Sequence, residues 1–551
     1  MLVGTFLFLA RRAADDYHWS GWAFGDAQTM LSSRQWNEGG WIENKLLFSP
    51  QGYAKAIEVL DEPELRHHAH GTYSGSKDKV GPRRLYTHYP PGYLVPYAAL
   101  YRIGLTTTFA ARVVSLCFSV GAVFLFYALL VKLFSRGIAL VAAAAYIAAA
   151  QFRDFADSIA NHPADDLLRF ASVFAIVLAV RSPSTRIEWR YDVVAWLLLF
   201  VLTLTSLDSL AFVCVWLVGY PWLERSKTNW KKLAVFALAP LLGGALLFAQ
   251  NAWYLGMRDA WRDATDILLH QGSVGASGEP LWARLRALAA TSDHLLGWLW
   301  MIGLILGGVM WLRRQPSAER RQGSIIGLLL MSGLAFVVFL PRSAIDLSYE
   351  GRQVLPFVAV LIACLSVALA EKSLGALLGG ALLFLVHVLR LAADDPSPMH
   401  MAPAIIRNHP DIVLARDTLL PLKTRYDPIV FTGGVLSLYW HMNFVPGYPQ
   451  IYPLVEYYAG SRPILCFLRS DTLAKDLAIM LRKSQHRFSP VIVVPSENAL
   501  RFVMDALRGA GVLKERPSAL AISPGPRIVD LTDYVDWDGF LARGRLPSDS
   551  T

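Results

Sequence analysis

From Phe109 to Val131 the chain reads FAARVVSLCFSVGAVFLFYALLV, with Arg112 as its one charge. As a helix rising 1.5 Å per residue, such a run crosses the ~30 Å hydrocarbon core of a bilayer. Outward from it, further apolar runs lie at 137–152, 167–180, 193–205, 207–223, 233–255, 295–312, 324–341, 353–370 and 374–392. The shorter ones fit a bilayer when tilted or packed among neighbours. Composition agrees, since 54% of the 551 residues are hydrophobic, 12% aromatic and 17% charged, against roughly 25% charged in a soluble domain. These runs predict a polytopic α-helical membrane protein rather than three or four soluble units.

The stretch Met1–Ala10 meets Arg11-Arg12 and lacks a small-x-small cleavage site, so it reads as the end of a first membrane helix, its start short or missing, and not as a signal peptide. Basic residues fill alternate loops: Lys132 and Arg136; Arg181, Arg186 and Arg190; Arg225, Lys227, Lys231 and Lys232; Arg313, Arg314, Arg320 and Arg321; Lys372. The positive-inside rule places these loops in the cytoplasm. The run 193–223 then folds as a tight hairpin with Leu207-Asp208 near its outer tip. The result is eleven crossings with the N-terminus inside. The outer segments are 15–108, 153–166, 256–294, 342–352 and everything after 393. The net charge of +9 is accounted for by the cytoplasmic loops. With no basic stripe interleaved with exposed aromatics, nucleic acid is not a partner.

The tail differs in kind. Short apolar runs at Ile429-Val-Phe-Thr, Ile464-Leu-Cys-Phe-Leu, Val491-Ile-Val-Val and Arg527-Ile-Val-Asp-Leu alternate with amphipathic stretches such as Thr472–Ser484 and Glu497–Gly511. Alternating strands and helices predict a small extracytoplasmic α/β domain with a mostly parallel sheet. The domains are therefore 1–392, membrane-embedded, and 393–551, outside. Gly433-Gly434 after the first run is a tight turn; a phosphate contact is the weaker alternative. Cys117, Cys214 and Cys364 lie in apolar runs and Cys466 in a strand, with no metal-ligand or disulfide spacing.

Chemistry-bearing residues gather in the outer segments. Asp15-Asp16, ahead of Tyr17-His18-Trp19, can act as a general base or hold a divalent cation, or one of them caps the following helix. In Thr87-His88-Tyr89-Pro90-Pro91-Gly92-Tyr93 the prolines precede Tyr93, Tyr97 and Tyr101, an aromatic run suited to headgroup depth. His88 is a phosphate or acid contact, or a solvated loop residue. Asp165-Asp166 follow Asp157, Asn161 and His162-Pro163; one of the pair fits a helix N-terminus. Neighbouring carboxylates call for a proton, cation or basic ligand between them, so Asp16 and Asp166 are the candidate metal ligands and a divalent cation the candidate cofactor. Arg258, Arg262, Arg342 and Arg352 are outer arginines able to fork a phosphate, or to anchor against lipid. The Gly-rich stretch His270–Pro280 lacks the Lys-Ser/Thr of a P-loop and reads as a mobile loop over a substrate.

In this order the parts resemble the GT-C glycosyltransferases that use polyprenyl-phosphate-sugar donors, especially the branch of protein O-mannosyltransferases and the lipid A aminoarabinose transferase. The resemblance rests on Asp15-Asp16-Tyr17, Met30-Leu31 with Gly39-Gly40-Trp41, Pro90-Pro91-Gly92-Tyr93, Ala111-Arg112-Val-Val-Ser115 and Asp165-Asp166-Leu-Leu. It covers residues 1–180 by motif and the rest by topology. It implies a catalytic carboxylate at Asp16 or Asp15, with Asp16 preferred, and a second acid at Asp165 or Asp166. It also implies a donor phosphate met by Arg352, Arg258 or Arg262. The chain departs from the aminoarabinose branch at His88-Tyr89, where that branch has Glu-Lys.

The expected function is inverting transfer of a sugar from a polyprenyl-phosphate carrier to a lipid, glycan or protein acceptor at the outer face of the bacterial inner membrane. Its rivals are a transporter or flippase, a GT-C-like polymerase or ligase of whole glycans, and a non-catalytic assembly subunit. A transporter places ionisable groups near the bilayer midplane. Here the runs are read as nearly free of interior charge, with acids at the outer mouth.

Overall fold

The computed structural model describes residues 2–20, 23–48, 85, 87, 89–181, 189–224, 230–272, 317–339 and 352–370, and short pieces of the tail between 403 and 530. Outside the described residues lie His88, Gly434, Arg342, the expected spans 295–312 and 374–392, Thr472–Ser484 and the part of the Gly-rich stretch after Gly272. The chain divides into two compact units: Met1–Trp22 with His88–His400, and Ala23–Thr87 with Met401–Thr551.

Helix α1 (Leu2–Ala13) opens the first unit and α2 (Ala23–Gly39) the second. The first unit continues with a 3-10 turn at Pro91–Tyr93, α3 (Leu94–Arg102), α4 (Thr108–Leu133) and α5 (Arg136–Ala148). Next come α6 (Ala150–Phe155), α7 (His162–Arg181), α8 (Trp189–Thr203), α9 (Leu207–Leu223) and α10 (Trp230–Leu255). The described part ends with α11 (Met257–Gly272), α12 (Ser317–Phe339) and α13 (Leu355–Ala370).

Local chemistry sets these boundaries. Thr107, Ser135 and Ser206 each accept the N–H three residues on, capping α4, α5 and α9. Helix α4 buries Arg112, Ser115, Ser119, Ala122, Phe126, Leu129 and Leu133, a stripe at three- and four-residue spacing, and packs along α7. Phe126, Tyr146 and Phe170 fill the space between α4, α5 and α7, with ring centroids 4.9 to 5.7 Å apart. Helix α13 packs along α5, α12 against α9, and α10 against α8.

Two sequence expectations shift. The run 137–152 is two helices, broken at Ala149, whose ψ of 137° is extended. Helix α7 starts at His162, ahead of the apolar run at 167, because Pro163 and Asp165 suit a first turn. The hairpin between α8 and α9 does turn at Leu204–Ser206, where Gly92 N–H donates to Leu204 O at 2.8 Å. A Cβ on Gly92 would lie 2.4 Å from that oxygen, so only glycine fits. Tyr93 and Tyr97 are buried, Tyr97 hydrogen-bonding Ser115 at 2.9 Å, so they pack inward where the sequence suggested headgroup depth.

Among the described residues, α4 and α10 are long and apolar enough to cross a membrane. Helix α10 leaves Val235, Leu238, Leu241, Leu242 and Leu246 about half to two-thirds exposed.

In the second unit, α2 ends at Gly40 (φ +89°), and Trp36 Nε1 donates to Leu47 O at 2.8 Å. Gln35 and Asn44 are buried and bonded at 3.1 Å. This stretch, expected as loop, is thus folded. In the tail, α14 (Pro403–Asn408) precedes β1 (Ile429–Gly433), β2 (Ile464–Phe467), β3 (Pro490–Val494) and β4 (Arg527–Asp530). They form one sheet in the order β2-β1-β3-β4, parallel except for β4, with Phe431 opposite Leu465 and Ile492. Residues 501, 504, 505, 508 and 509 are helical.

Candidate active site

In the first unit, connections far apart in sequence meet at one end of the helices, where they build two charged corners. The first corner surrounds the end of α1. Asp15 Oδ1 accepts the Tyr17 N–H at 2.9 Å, an Asx turn that fixes the chain after the helix. Arg112, fully buried on α4, donates through Nη1 to Ala13 O at 3.0 Å and Asp15 O at 2.9 Å, and its guanidinium lies 5.3 Å from the Trp19 ring centre. A cation on the last carbonyls of a helix is favoured by the helix dipole and supplies their missing donors. Arg12 Nη2 donates to Asp157 Oδ1 at 2.6 Å and to Arg153 O at 2.5 Å. His18 Nε2 lies 3.3 Å from Asp157 Oδ2.

The charges here sort themselves by environment. Burial works against ionising Asp157, but the Arg12 guanidinium, then His18 and Arg112, outweigh it and hold the carboxyl well below its usual range. Burial pushes His18 down despite Asp157, so its imidazole is neutral near pH 7. Asp15 is half-buried and Asp16 exposed on the turn that Arg112 and Arg12 brace.

The second corner joins the start of α7 to Arg352 and Gln353, just ahead of α13. Asp166 Oδ1 accepts from Arg352 Nη1 at 2.7 Å and Arg169 Nη2 at 2.6 Å, and its Oδ2 accepts from Tyr146 Oη–H at 2.8 Å. Asp165 Oδ2 accepts from Asn161 Nδ2 at 2.8 Å and Arg352 Nη2 at 3.2 Å. Arg169 also bonds Gln353 Oε1 and stacks near Phe170 and Phe212. Gly333 on α12 lets this segment approach: a Cβ there would lie 2.8 Å from Gln353 O and 2.9 Å from Val354 Cα.

Of the residues singled out in the sequence, the structure brings Asp165, Asp166 and Arg352 together. It joins the Asp15-Asp16 turn, through Arg12 and Asp157, to the same 153–166 connection. Arg258 and Arg262 are exposed on α11, with Arg262 3.7 Å from Asp259, and are not joined to either corner. Sequence reasoning passed over Arg12, Arg112, Asp157 and Arg169 as site residues. Arg112 and Arg169 correct the view that the apolar runs are nearly free of charge: both are fully buried in α4 and α7. A lone arginine in an apolar run is itself a functional signal.

A divalent cation does not fit the second corner. Both Asp166 oxygens already accept hydrogen bonds, and two guanidinium groups stand where a cation would be repelled. Among the described residues no group of three or more His, Cys, Asp or Glu side chains is arranged to hold a metal, Asp16 and Asp15 included.

The fold has solved counterparts. It is similar to the crystal structure of ArnT from Cupriavidus metallidurans bound to undecaprenyl phosphate, at TM-score 0.56 and 14% identity, covering 96% of this chain and 97% of that one. The apo state of ArnT gives TM-score 0.53 at 14% identity, covering 96% of each chain. The archaeal oligosaccharyltransferase AglB from Archaeoglobus fulgidus, in complex with an inhibitory peptide and a dolichol-phosphate, gives 0.47 at 12% identity over 98% of this chain and 74% of that one. No protein-family model and no curated protein matches the sequence. The likeness is one of fold.

Proposed function

We propose that the chain is an inverting glycosyltransferase of the membrane surface, moving a sugar from a polyprenyl-phosphate carrier to a lipid, glycan or protein acceptor. The observation that carries this is the first unit's bundle end, where an exposed carboxylate on a braced turn shares one connection with an arginine-rich corner. The likeness to ArnT, solved with undecaprenyl phosphate, supports the choice of donor. The apolar exposed face of α10 supports a bilayer around the first unit, since such a face is costly in water. In this reading residues 1–392 hold the chemistry and 393–551 form an outer α/β domain, the whole in a bacterial inner membrane.

The chemistry follows from charge. Asp16 takes the proton of an acceptor hydroxyl as the acceptor oxygen bonds to the anomeric carbon. On the opposite face the bond from that carbon to the phosphate oxygen breaks, its electron pair leaving with the polyprenyl phosphate. One displacement inverts the centre. The growing phosphate charge needs preorganised cations in a site sheltered from water. Arg352 is one candidate: Asp165 and Asp166 fix the orientation of its guanidinium at the bundle end. Asp15, whose Oδ1 is spent on the turn, positions rather than reacts.

A transporter reading is weaker, because Arg169 is tied at once to Asp166 and Gln353 and is not poised to exchange partners. The test is a strain carrying Asp16→Asn: its lipid extracts should accumulate polyprenyl-phosphate-sugar while the protein remains in the membrane at normal level. Unchanged lipids and complete glycans in that strain would overturn the proposal.

A further inference from the structure

Helix α11 distributes its residues unlike a helix standing in water. Met257, Trp261, Ala264 and Leu268 recur at helical spacing and form one stripe. Asp259, Asp263 and Asp266 fall on the opposite side, and Arg258 and Arg262 on a flank between the two. Met257 is 68% and Trp261 66% exposed, whereas Ala260 and Asp263 are buried. The protein thus covers an acid and a small residue and leaves a tryptophan and a methionine outside. Arg258 and Arg262 are exposed beside them, Arg262 lying 3.7 Å from the partly covered Asp259.

The preceding helix sets the depth at which this happens. Helix α10 exposes Trp230 at one end and Trp253 at the other, with its exposed Val and Leu side chains between them. At 1.5 Å per residue the two tryptophans are about 34 Å apart along the axis. That matches a hydrocarbon core of ~30 Å, and tryptophan gathers at both borders of such a core. Gly256, at φ +83°, ends the helix: its N–H donates to Ala252 O at 2.8 Å, and its own carbonyl accepts the Ala260 N–H at 3.0 Å. The chain therefore turns out of α10 and directly into α11. Trp261 then meets Phe248 edge to face, with ring centroids 5.9 Å apart. Phe248 lies about 7 Å further into α10 than Trp253. A helix lying in the plane of a membrane sinks its apolar face by a similar amount, roughly 5–10 Å, into the boundary between headgroups and acyl chains.

We propose that α11 is an in-plane anchor on the phospholipid surface, with Met257 and Trp261 set among the acyl chains and Arg258 and Arg262 on headgroup phosphates of the surrounding bilayer. The occupant is the bilayer around α10, because Trp261 continues that helix's apolar surface through Phe248. Arginine suits this level, since its stem lies along apolar surface while the guanidinium forks a phosphate. The anchor rests on the bilayer reading of the first unit and not on the transferase chemistry. It gives Arg258 and Arg262 to bulk phospholipid, where the sequence resemblance implied the donor phosphate.

The test measures depth. Full-length protein with Cys117, Cys214, Cys364 and Cys466 replaced by alanine carries one nitroxide label, through Met257→Cys, Trp261→Cys or, on α10, Leu242→Cys. It is reconstituted into bilayers of phosphatidylethanolamine and phosphatidylglycerol, and collisions with dissolved oxygen and with a water-soluble nickel chelate are compared. The label at 242 should lie deep in the hydrocarbon, and those at 257 and 261 at the headgroup boundary, with oxygen collisions exceeding nickel collisions. Arg258→Gln with Arg262→Gln should shift the label at 257 toward water; an unchanged depth overturns the phosphate contacts. Labels at 257 and 261 open to nickel, with 242 deep, overturn the anchor and leave the bilayer reading standing. Labels at 257 and 261 hidden from both reagents place protein on this face and overturn the anchor as well. A label at 242 open to nickel overturns the bilayer reading and the anchor together.

Discussion

The two charged corners of the first unit use the same residue types to different ends. At the start of α7, Asp165 and Asp166 face Arg169 and Arg352, and Asp166 alone accepts from two arginines and a tyrosine. At the end of α1, Asp157 accepts from Arg12, Arg112 donates to backbone carbonyls, and Arg153 feels the charge of Asp154. A balanced buried network fixes a structure, because every charge in it has been desolvated against a partner. At the end of α1 the charges are joined more loosely, through one carboxylate–guanidinium bond and backbone carbonyls. The contrast makes the α7 corner the more tightly bonded of the two, and the turn after α1, with its exposed Asp16, the proposed place for the base.

The contrast breaks if the corners respond alike to mutation. The largest stability effect is expected for Asp166→Ala, which strands two buried guanidinium groups and a tyrosine hydroxyl. Thermal unfolding in detergent should show a loss of about 3–5 kcal/mol. Asp157→Asn should cost less, about 2 kcal/mol, because Arg12 is 18% exposed and can turn to water. Its pH dependence is specific. With its folded pKa depressed, Asp157 contributes stability that is present above the unfolded value, about 4, and is lost as pH falls below it. The acid-side decline in melting temperature should therefore be shallower in Asp157→Asn than in the wild type.

Gly333→Ala sharpens the picture of the balanced corner, since its Cβ would press on the Gln353 carbonyl at 2.8 Å. A shift of that backbone should cost about 1–3 kcal/mol, read from the same melts. Arg153→Gln stands at the small end: a change of about 1 kcal/mol or less, since the partly exposed side chain loses the attraction of Asp154. A larger loss there would show that Arg153 holds the α1 corner together.

Much of this was visible in the sequence, and the omissions have physical causes. Hydropathy located α4, the α8–α9 hairpin and α10 to within a few residues, because apolar runs of that length have few other fates. It could not see the break at Ala149, where neither glycine nor proline marks the turn and the extended backbone is set by packing. Asp165, Asp166 and Arg352 stood out as charges at the mouths of apolar runs, and the structure joins them. Arg112 and Arg169 did not, since one charge is diluted by a window of Leu, Val and Phe. The Arg12–Asp157 pair spans 145 residues, and no local pattern announces a partner at that distance. Helix α2 was taken as loop because its apolar and polar residues follow no clean helical stripe.

The central claim is that an exposed carboxylate on the turn after α1 acts as base in sugar transfer. The most direct test is the rate at which the purified protein in lipid transfers a labelled sugar from a polyprenyl-phosphate donor, wild type against Asp16→Asn. Loss of a positioned general base predicts a fall of about 10²–10⁴-fold in that rate with donor binding retained. A rate in Asp16→Asn that matches the wild type would contradict the account.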